Sequence, residues 1–123
     1  MSTWTSDELD TIGSAEELEI ASVGDDGAAR TPVTIWVVRH GDELYVRSVN
    51  GRTSSWFRGV QARHEATIEA GGVGKDVRIV ETEDSSDDID AAYRAKYHRH
   101  ARNVVDSIVS PSARAATLKL VPR

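Results

Sequence analysis

Residues 30–49 read RTPVTIWVVRHGDELYVRSV, and this stretch decides the fold. Its first ten residues are rich in β-branched side chains, which favour extended strands. The sequence HGD at 40–42 is typical of a tight turn, and residues 43–49 then alternate between two faces. The stretch therefore predicts two antiparallel strands, and we expect the first, over 30–39, to be central or nearly central in its sheet.

A further strand precedes this pair. Residues 18–22 alternate between apolar and acidic side chains and lead into Gly24-Asp25-Asp26-Gly27, a strong turn sequence. Before that strand, Thr5 or Ser6 can cap a short helix that stops at Gly13. The three strands, joined by short turns, are expected to form a meander.

Helices and strands then alternate along the rest of the chain. Thr53 or Ser54 can cap a helix that ends near Arg63. Residues 65–70 and 77–83 are predicted strands on either side of a glycine-rich connection. A long helix is expected from residue 85 onward, because one set of residues recurs at helical spacing: Ile89, Tyr93, Tyr97, His100 and Val104. Residues 116–121 are predicted to form the last strand.

These elements predict a mainly β protein of the α+β type. Six antiparallel strands carry one helix inserted after the third strand and a long helix before the last, which suits a small closed or partly closed barrel. An open α+β sheet is the alternative architecture. The length of 123 residues suits one domain spanning the whole chain, 1–123.

Composition excludes several classes of function. The net charge of −5 and the pI near 5.3 give no overall attraction for nucleic acid or an anionic membrane. The chain has no cysteine, which excludes disulfides, thiolate zinc sites and a cysteine nucleophile. The amino-terminal residues are acidic where an export signal needs positive charge, so we expect a soluble cytoplasmic protein.

The segment 45–58 is the most informative stretch for chemistry. It places Arg47, Arg52 and Arg58, several hydroxyl side chains and Gly51 at a strand-to-helix junction. Guanidinium groups, hydroxyls and free backbone N–H groups together suit a phosphate or another anion. The structural alternative is that Thr53 or Ser54 only caps the helix, the arginines are solvated, and the nearby tryptophan belongs to the core.

The chain resembles the flavin-binding split-barrel superfamily, which includes pyridoxamine phosphate oxidase and the deazaflavin-dependent nitroreductases. The resemblance rests on RTPVTIWVVR at 30–39, GDELYVRS at 41–48, Gly51-Arg52, the motif WFR at 56–58 and ATIE at 66–69. The endings YRAKY at 93–97 and TLKLVPR at 117–123 are similar to those of a bacterial family, domain of unknown function 2255.

This resemblance implies a six-stranded split barrel that forms a homodimer, with FMN or a deazaflavin such as coenzyme F-420 in a groove near the interface. The positions that match the cofactor-binding ones are Arg30, Thr31, Ser48, Gly51, Arg52, Thr53, Trp56 and Arg58. The acidic turn at 24–27 stands where the deazaflavin reductases have a basic one, which favours FMN or the loss of the cofactor, whereas the tryptophan and Gly-Arg context favours the deazaflavin group, so the cofactor stays open.

Other aromatic and titratable residues have competing interpretations. Tyr93 and Tyr97 are candidates for the substrate side of the groove, although their place on the apolar stripe also suits core packing. Trp36 is expected to be buried or at a dimer contact, and Trp4 to pin the first helix to the barrel. No metal site is predicted: two histidines two positions apart on a helix, at 98 and 100, point in different directions.

Two functions follow from this resemblance. The first is a flavin- or deazaflavin-dependent oxidoreductase that transfers a hydride to a small organic substrate. The second is a non-enzymatic split-barrel dimer that has lost the cofactor and binds another small molecule bearing a phosphate or carboxylate. A purely structural role is the remaining alternative.

Overall fold

A computed structural model describes residues 3–24, 26–83 and 85–123. The helices are α1 Ser6–Ser14, α2 Ser55–Arg63, α3 Ser86–Lys96, α4 Arg102–Ile108 and α5 Pro111–Arg114, with a single 3₁₀ turn at Gly51–Thr53. The strands are β1 Leu18–Ser22, β2 Val33–Ile35, β3 Val37–His40, β4 Glu43–Arg47, β5 Glu65–Ala70, β6 Val73–Glu81 and β7 Thr117–Pro122.

All neighbouring strands pair antiparallel in the order β2-β1-β5-β6-β7-β4-β3. The edge strands β2 and β3 are consecutive in the chain and are separated only by Trp36. One extended segment therefore runs from one edge of the sheet to the other, so that the sheet nearly closes on itself. The predicted class, an antiparallel barrel with inserted helices, is confirmed.

The predicted number of six strands is wrong, because the segment 30–39 is divided at Trp36 and the sheet has seven strands. The expected central position of that segment is also wrong. Its first part pairs with β1 and its second with β4, and both parts lie at sheet edges. The apolar density has another cause: Val37 packs in the barrel interior and Val38 packs beneath the helices on the outer face.

Strand β4 separates two hydrophobic clusters. Leu44 and Val46 lie in the barrel interior. Apolar residues from the other strands, including Val37 of β3, and from α1 and α2 pack there with them. Tyr45 lies in a second cluster on the other face of the strand, beneath α3 and α4. The alternation that the sequence showed in 43–49 therefore becomes a division between the barrel core and the helix-covered face.

The inserted helix and the first helix agree with the sequence. The side chain of Thr5 and that of Glu8 form a capping box at the start of α1. Trp4 is buried, and its indole N–H donates to the carbonyl of Leu120 on β7, 3.0 Å away. The Trp4 side chain therefore pins the start of α1 to the barrel, as its position predicted.

The single long helix predicted after residue 85 is wrong. α3 ends at Lys96, and α4 begins only at Arg102. The ring nitrogen Nδ1 of His98 hydrogen-bonds with the carbonyl of Ala95, 2.8 Å away, which satisfies a last-turn carbonyl. The sequence argument against a metal site at His98 and His100 assumed that both residues lie on one continuous helix, and α3 ends before them. In the structure the ring of His100 is paired with Glu16.

The glycine-rich connection is shorter than predicted, because β6 starts at Val73 instead of residue 77. Gly74 and Lys75 pair with Glu69 and Ile68 of β5, which leaves Gly71 and Gly72 to make the turn. The acidic turn predicted at 24–27 includes Asp25, which lies outside the described part of the chain.

Gly59 allows α2 to pack directly on β1. A Cβ atom at Gly59 would lie 2.8 Å from the hydroxyl oxygen and 2.9 Å from the Cβ of Ser22. Replacing a helical glycine by alanine normally stabilises a helix by about 1 kcal/mol. At this position we expect Gly59→Ala instead to lower the free energy of unfolding by about 1–2 kcal/mol, because overpacking outweighs helix propensity.

Urea unfolding of the single variants and of Gly59→Ala/Ser22→Gly tests this prediction. The second substitution removes both clashing atoms, so the two changes should be less destabilising together than the sum of their separate effects. A stabilised Gly59→Ala variant would contradict the packing argument.

Candidate functional site

One groove combines strand, loop and helix residues at the place where the chain crosses between the sheet edges. Its volume is about 390 Å³. It is lined by β2 and Trp36, by Val49 and Asn50 after β4, by Trp56 at the start of α2, and by one face of α4. Its position outside the closed part of the barrel leaves it open to solvent on one side.

The groove gathers several exposed apolar side chains. Within the described ranges, the large hydrophobic residues that stand out as exposed are Val33, Val49 and Val104, at 37%, 45% and 44%. All three line this groove, together with the half-buried Trp36 and Trp56. Scattered exposed apolar residues need no explanation, but their convergence on one concave surface is typical of a ligand or partner site.

Trp36 is held in place by buried aromatic neighbours. Its ring stacks on that of Tyr97, with centroids 3.9 Å apart and planes 4° from parallel, and lies 4.8 Å from the ring of His100. The Tyr97 hydroxyl donates to the carbonyl of Glu16, 2.8 Å away, and accepts from the backbone N–H of Val37, 3.2 Å away. Tyr97 therefore positions the wall of the groove from behind.

Burial keeps the phenol groups of Tyr93, on α3, and Tyr97, at the end of α3, in the neutral form. It raises the pKa of Tyr97 and of Tyr93 well above the usual value, so both phenols stay neutral at ordinary pH. Both side chains are fully buried and neither lines the groove. Their role as substrate-side groups therefore stays a prediction, and the contacts present are those of core aromatics.

Trp56 is anchored by its neighbour in sequence. Phe57 is fully buried in the barrel core, and its ring meets that of Trp56 edge to face, with centroids 6.1 Å apart. The first turn of α2 thus places the Phe57 ring in the core and the Trp56 ring at the groove. Trp56 is the one residue of the eight predicted cofactor-binding positions that lines this groove.

Arg47 borders the groove, but its charge is used within the protein. Its side chain is fully buried, and its guanidinium donates to Asp90, to the hydroxyl of Thr117 2.9 Å away, and to two backbone carbonyls. These carbonyls belong to Ser86 and Ile108. Arg47 therefore ties β4 to α3, α4 and β7, and four of its five N–H groups are used within the protein.

Arg52 lies in a different cavity, of about 440 Å³, which also contains Glu81 and Glu83. Its guanidinium donates to Glu81, 2.8 Å away, and to the carbonyl of Ala115, 3.1 Å away. Burial alone would raise the pKa of Glu81, but hydrogen bonds from Arg52 and Gln61 outweigh it and hold the pKa below its usual value. Arg52 is thus already paired with a carboxylate.

The remaining predicted positions are spread over the surface and core. Arg30 and Thr31 line a third cavity, of about 560 Å³, beside Asp26. The buried hydroxyl of Ser48 hydrogen-bonds with that of Ser54, 2.7 Å away. The three others behave differently again: Gly51 is buried at a positive φ of 80°, and Thr53 and Arg58 are exposed outside the groove.

The structure therefore does not bring the predicted anion-binding residues into one cavity. The residues that sequence reasoning missed are the apolar ones of the groove, namely Val33, Val49, Val104 and Trp36. The sequence offered only the tryptophan itself as a signal. The structure shows that Trp36 is the residue at which segment 30–39 passes from one sheet edge to the other. The convergence of the valines comes from three elements distant in sequence, which no local pattern reveals.

The fold and the groove together define a split β-barrel protein. Within the described ranges, no helix has both the length and the apolar character needed to cross a membrane. The family described as "Uncharacterized protein conserved in bacteria (DUF2255)" matches residues 8–120, and the chain belongs to that family. No curated protein matches the sequence.

Solved structures with the same fold are distant in sequence. A conserved hypothetical protein, Rv2991 from Mycobacterium tuberculosis, is 15% identical, with a TM-score of 0.66 over 99% of this chain and 82% of the other. An F420 reductase is 14% identical, with a TM-score of 0.57 over 94% and 90%. A protein provisionally assigned as a pyridoxamine 5′-phosphate oxidase, from Listeria innocua, is 17% identical, with a TM-score of 0.65 over 94% and 90%.

Proposed function

We propose that this protein binds the planar ring of a flavin or deazaflavin in the groove and acts as an oxidoreductase on a small organic substrate. The observation that carries the proposal is the convergence of Trp36, Trp56 and the three exposed valines on one concave surface. The likeness to an F420 reductase supports it at the level of the fold.

The groove fits the ring portion of such a cofactor. Its volume of about 390 Å³ falls in the range of small-molecule sites, which are apolar with a few polar groups. Trp36 and Trp56 would stack on or against the ring, and the valines would exclude water from it. Asn50 stands exposed at the rim, where its carboxamide offers both a donor and an acceptor to the edge of a heterocycle.

The chemistry would belong to the bound ring, which supplies hydride transfer, while the protein supplies position and a dry environment. Trp36 is pre-positioned by its stacking on Tyr97, so little side-chain entropy is lost when a ring binds against it. Neither buried tyrosine is required to move a proton in this scheme, since both phenols are neutral and screened from the groove.

We also propose a homodimer, in which a second chain covers part of the apolar rim. The exposed Val33, Val49 and Val104 would be shielded by such a contact. Light scattering coupled to size-exclusion chromatography is the measurement. We expect a mass of twice the monomer, and a monomer at all concentrations would contradict the dimer without bearing on ring binding.

Trp56→Ala is the direct test of the binding site. We expect it to weaken the binding of FMN, or of coenzyme F-420, by about tenfold or more, because a stacking surface and buried apolar area are lost. Quenching of intrinsic fluorescence reports binding in both proteins, since Trp4 and Trp36 remain in the variant.

Arg52→Ala is the matched comparison, because Arg52 belongs to the anion site predicted from the sequence but lies outside the groove. We expect its affinity to stay within about threefold of the parent protein, since no ligand contact is lost there. The opposite pattern, a loss with Arg52→Ala and none with Trp56→Ala, would move the site away from the groove. Binding without any turnover would favour the non-enzymatic alternative.

A further inference from the structure

We propose that the groove recognises its ligand through the ring alone and gives no anchor to a phosphate, so that its ligand class is the uncharged planar heteroaromatic ring. This inference rests on the proposed function, and it narrows the ligand that the same site takes. It also separates the groove from the anion site that the arginines of segment 45–58 suggested.

The first argument is the state of Arg47. Among the described residues that line the groove, Arg47 is the sole residue with a full charge. Its side chain is fully buried, and four of its hydrogen bonds go to protein groups on β7, α3 and α4. A phosphate in the groove would find this guanidinium already paired with Asp90 and with four of its five N–H groups engaged by the protein.

The second argument is the character of the other polar groups. Thr34, Asn50 and Ser107 are neutral, and the Ser107 hydroxyl already donates to the carbonyl of Val104, 2.5 Å away. A phosphate that moved into the groove would lose part of its hydration and find only neutral donors, with no free cationic side chain to offset that loss. It is more stable in solvent, outside the rim.

The third argument is the placement of the other candidate cations. Arg52 is paired with Glu81 in a separate cavity, and Arg30 lines a cavity beside Asp26. Neither cavity shares a lining residue with the groove in the part of the chain that is described. A cofactor tail leaving the groove would therefore find the Arg52 guanidinium already paired, and Arg30 only in a separate cavity that an acidic side chain also lines.

Riboflavin and FMN form the matched probe pair, because they share the ring and differ by one phosphate. We expect their dissociation constants, measured by fluorescence quenching, to agree within about threefold and to change little between low and high salt. A phosphate-anchored site would instead bind FMN about tenfold or more tightly at low salt, since charge-assisted contacts are strong.

Asn50→Lys provides the converse test. Asn50 is exposed at the rim with ordinary negative φ, so the backbone accepts lysine there. The new ammonium supplies the missing anchor. We expect it to make FMN bind about fivefold to tenfold more tightly than riboflavin at low salt, with the preference falling as salt is added.

The outcomes are distinct. Equal affinities in the parent protein, together with an FMN preference created by Asn50→Lys, support the inference. A strong, salt-sensitive FMN preference in the parent protein overturns the inference but leaves ring binding intact. Absence of binding by riboflavin, FMN and coenzyme F-420 alike overturns the proposed function as well, and Trp56→Ala would then have no binding to reduce.

Discussion

Arg47→Ala is expected to lower the free energy of unfolding by about 3–5 kcal/mol, the cost of breaking a buried ion pair by removing one partner. The substitution would leave Asp90 with only the more distant Arg114, 3.5 Å away, as a counter-ion, and it would remove the guanidinium donor from the buried carbonyl of Ile108 and the part-buried carbonyl of Ser86. It would also open a cavity beneath α3 and α4, where the guanidinium lies 5.5 Å from the centre of the Tyr93 ring.

Urea unfolding, followed by both far-UV circular dichroism and tryptophan fluorescence, measures this effect. Arg58→Ala is the matched control, because Arg58 belongs to the same sequence segment but is exposed, and its loss should change stability by less than about 0.5 kcal/mol. Arg47→Lys should recover only part of the stability, since one ammonium cannot reproduce a planar fork of donors. Equal effects of the two alanine substitutions would show that Arg47 is not a structural clamp.

Tyr97→Ala is the second large effect that we expect. Removing a fully buried aromatic ring costs about 3–5 kcal/mol of stability. The same change removes the surface on which Trp36 stacks, and thereby loosens one wall of the groove. We therefore expect the variant to lose ring binding by about tenfold, although Tyr97 does not line the groove.

Tyr97→Phe separates this positioning role from a chemical one. Phenylalanine keeps the ring beneath Trp36 but loses the hydroxyl that bonds with the Glu16 carbonyl and the Val37 N–H. We expect a stability loss of about 1–3 kcal/mol with little change in ring affinity. If Tyr97 instead donated a proton to the substrate, turnover would collapse in Tyr97→Phe while binding stayed the same.

Near-UV circular dichroism provides a readout that a simple loss of stability would not change. Stacked Trp36 and Tyr97 rings are held in a fixed chiral geometry, so their signal should survive in Tyr97→Phe and disappear in Tyr97→Ala under fully folded conditions. An unchanged near-UV spectrum in Tyr97→Ala would mean that other contacts hold Trp36.

Much of the fold could be predicted from local sequence patterns. The first helix, the inserted helix and β5 lie where the sequence pattern placed them, although Ser54, at the N-cap of α2, hydrogen-bonds with Ser48 instead of capping the helix. The errors occur where the tertiary structure changed an otherwise correct local pattern. The extended segment 30–39 divides at Trp36 because its two halves pair with different strands, and the helix after residue 85 ends at Lys96.

The candidate site was much harder to predict. The pattern of arginines and hydroxyls between 45 and 58 was real, but its members are engaged in different places. Arg52 is paired with Glu81, and Ser48 is hydrogen-bonded to Ser54. Of the eight predicted cofactor-binding residues only Trp56 lines the groove, and Arg47 borders it with its guanidinium paired to Asp90. Residue type at a spacing predicts available chemistry, but not which partner uses it.

The sequence by itself determined the class of the protein, because alternation, turn residues and helix caps act over a few neighbours and survive any arrangement of the elements. Only the tertiary structure decided the fate of Arg47, whose partners Asp90, Ile108 and Thr117 lie 43, 61 and 70 positions away. It likewise decided that three valines from separate elements meet at one groove. Burial and pairing depend on contacts between distant segments, and those contacts exist only once the barrel has closed.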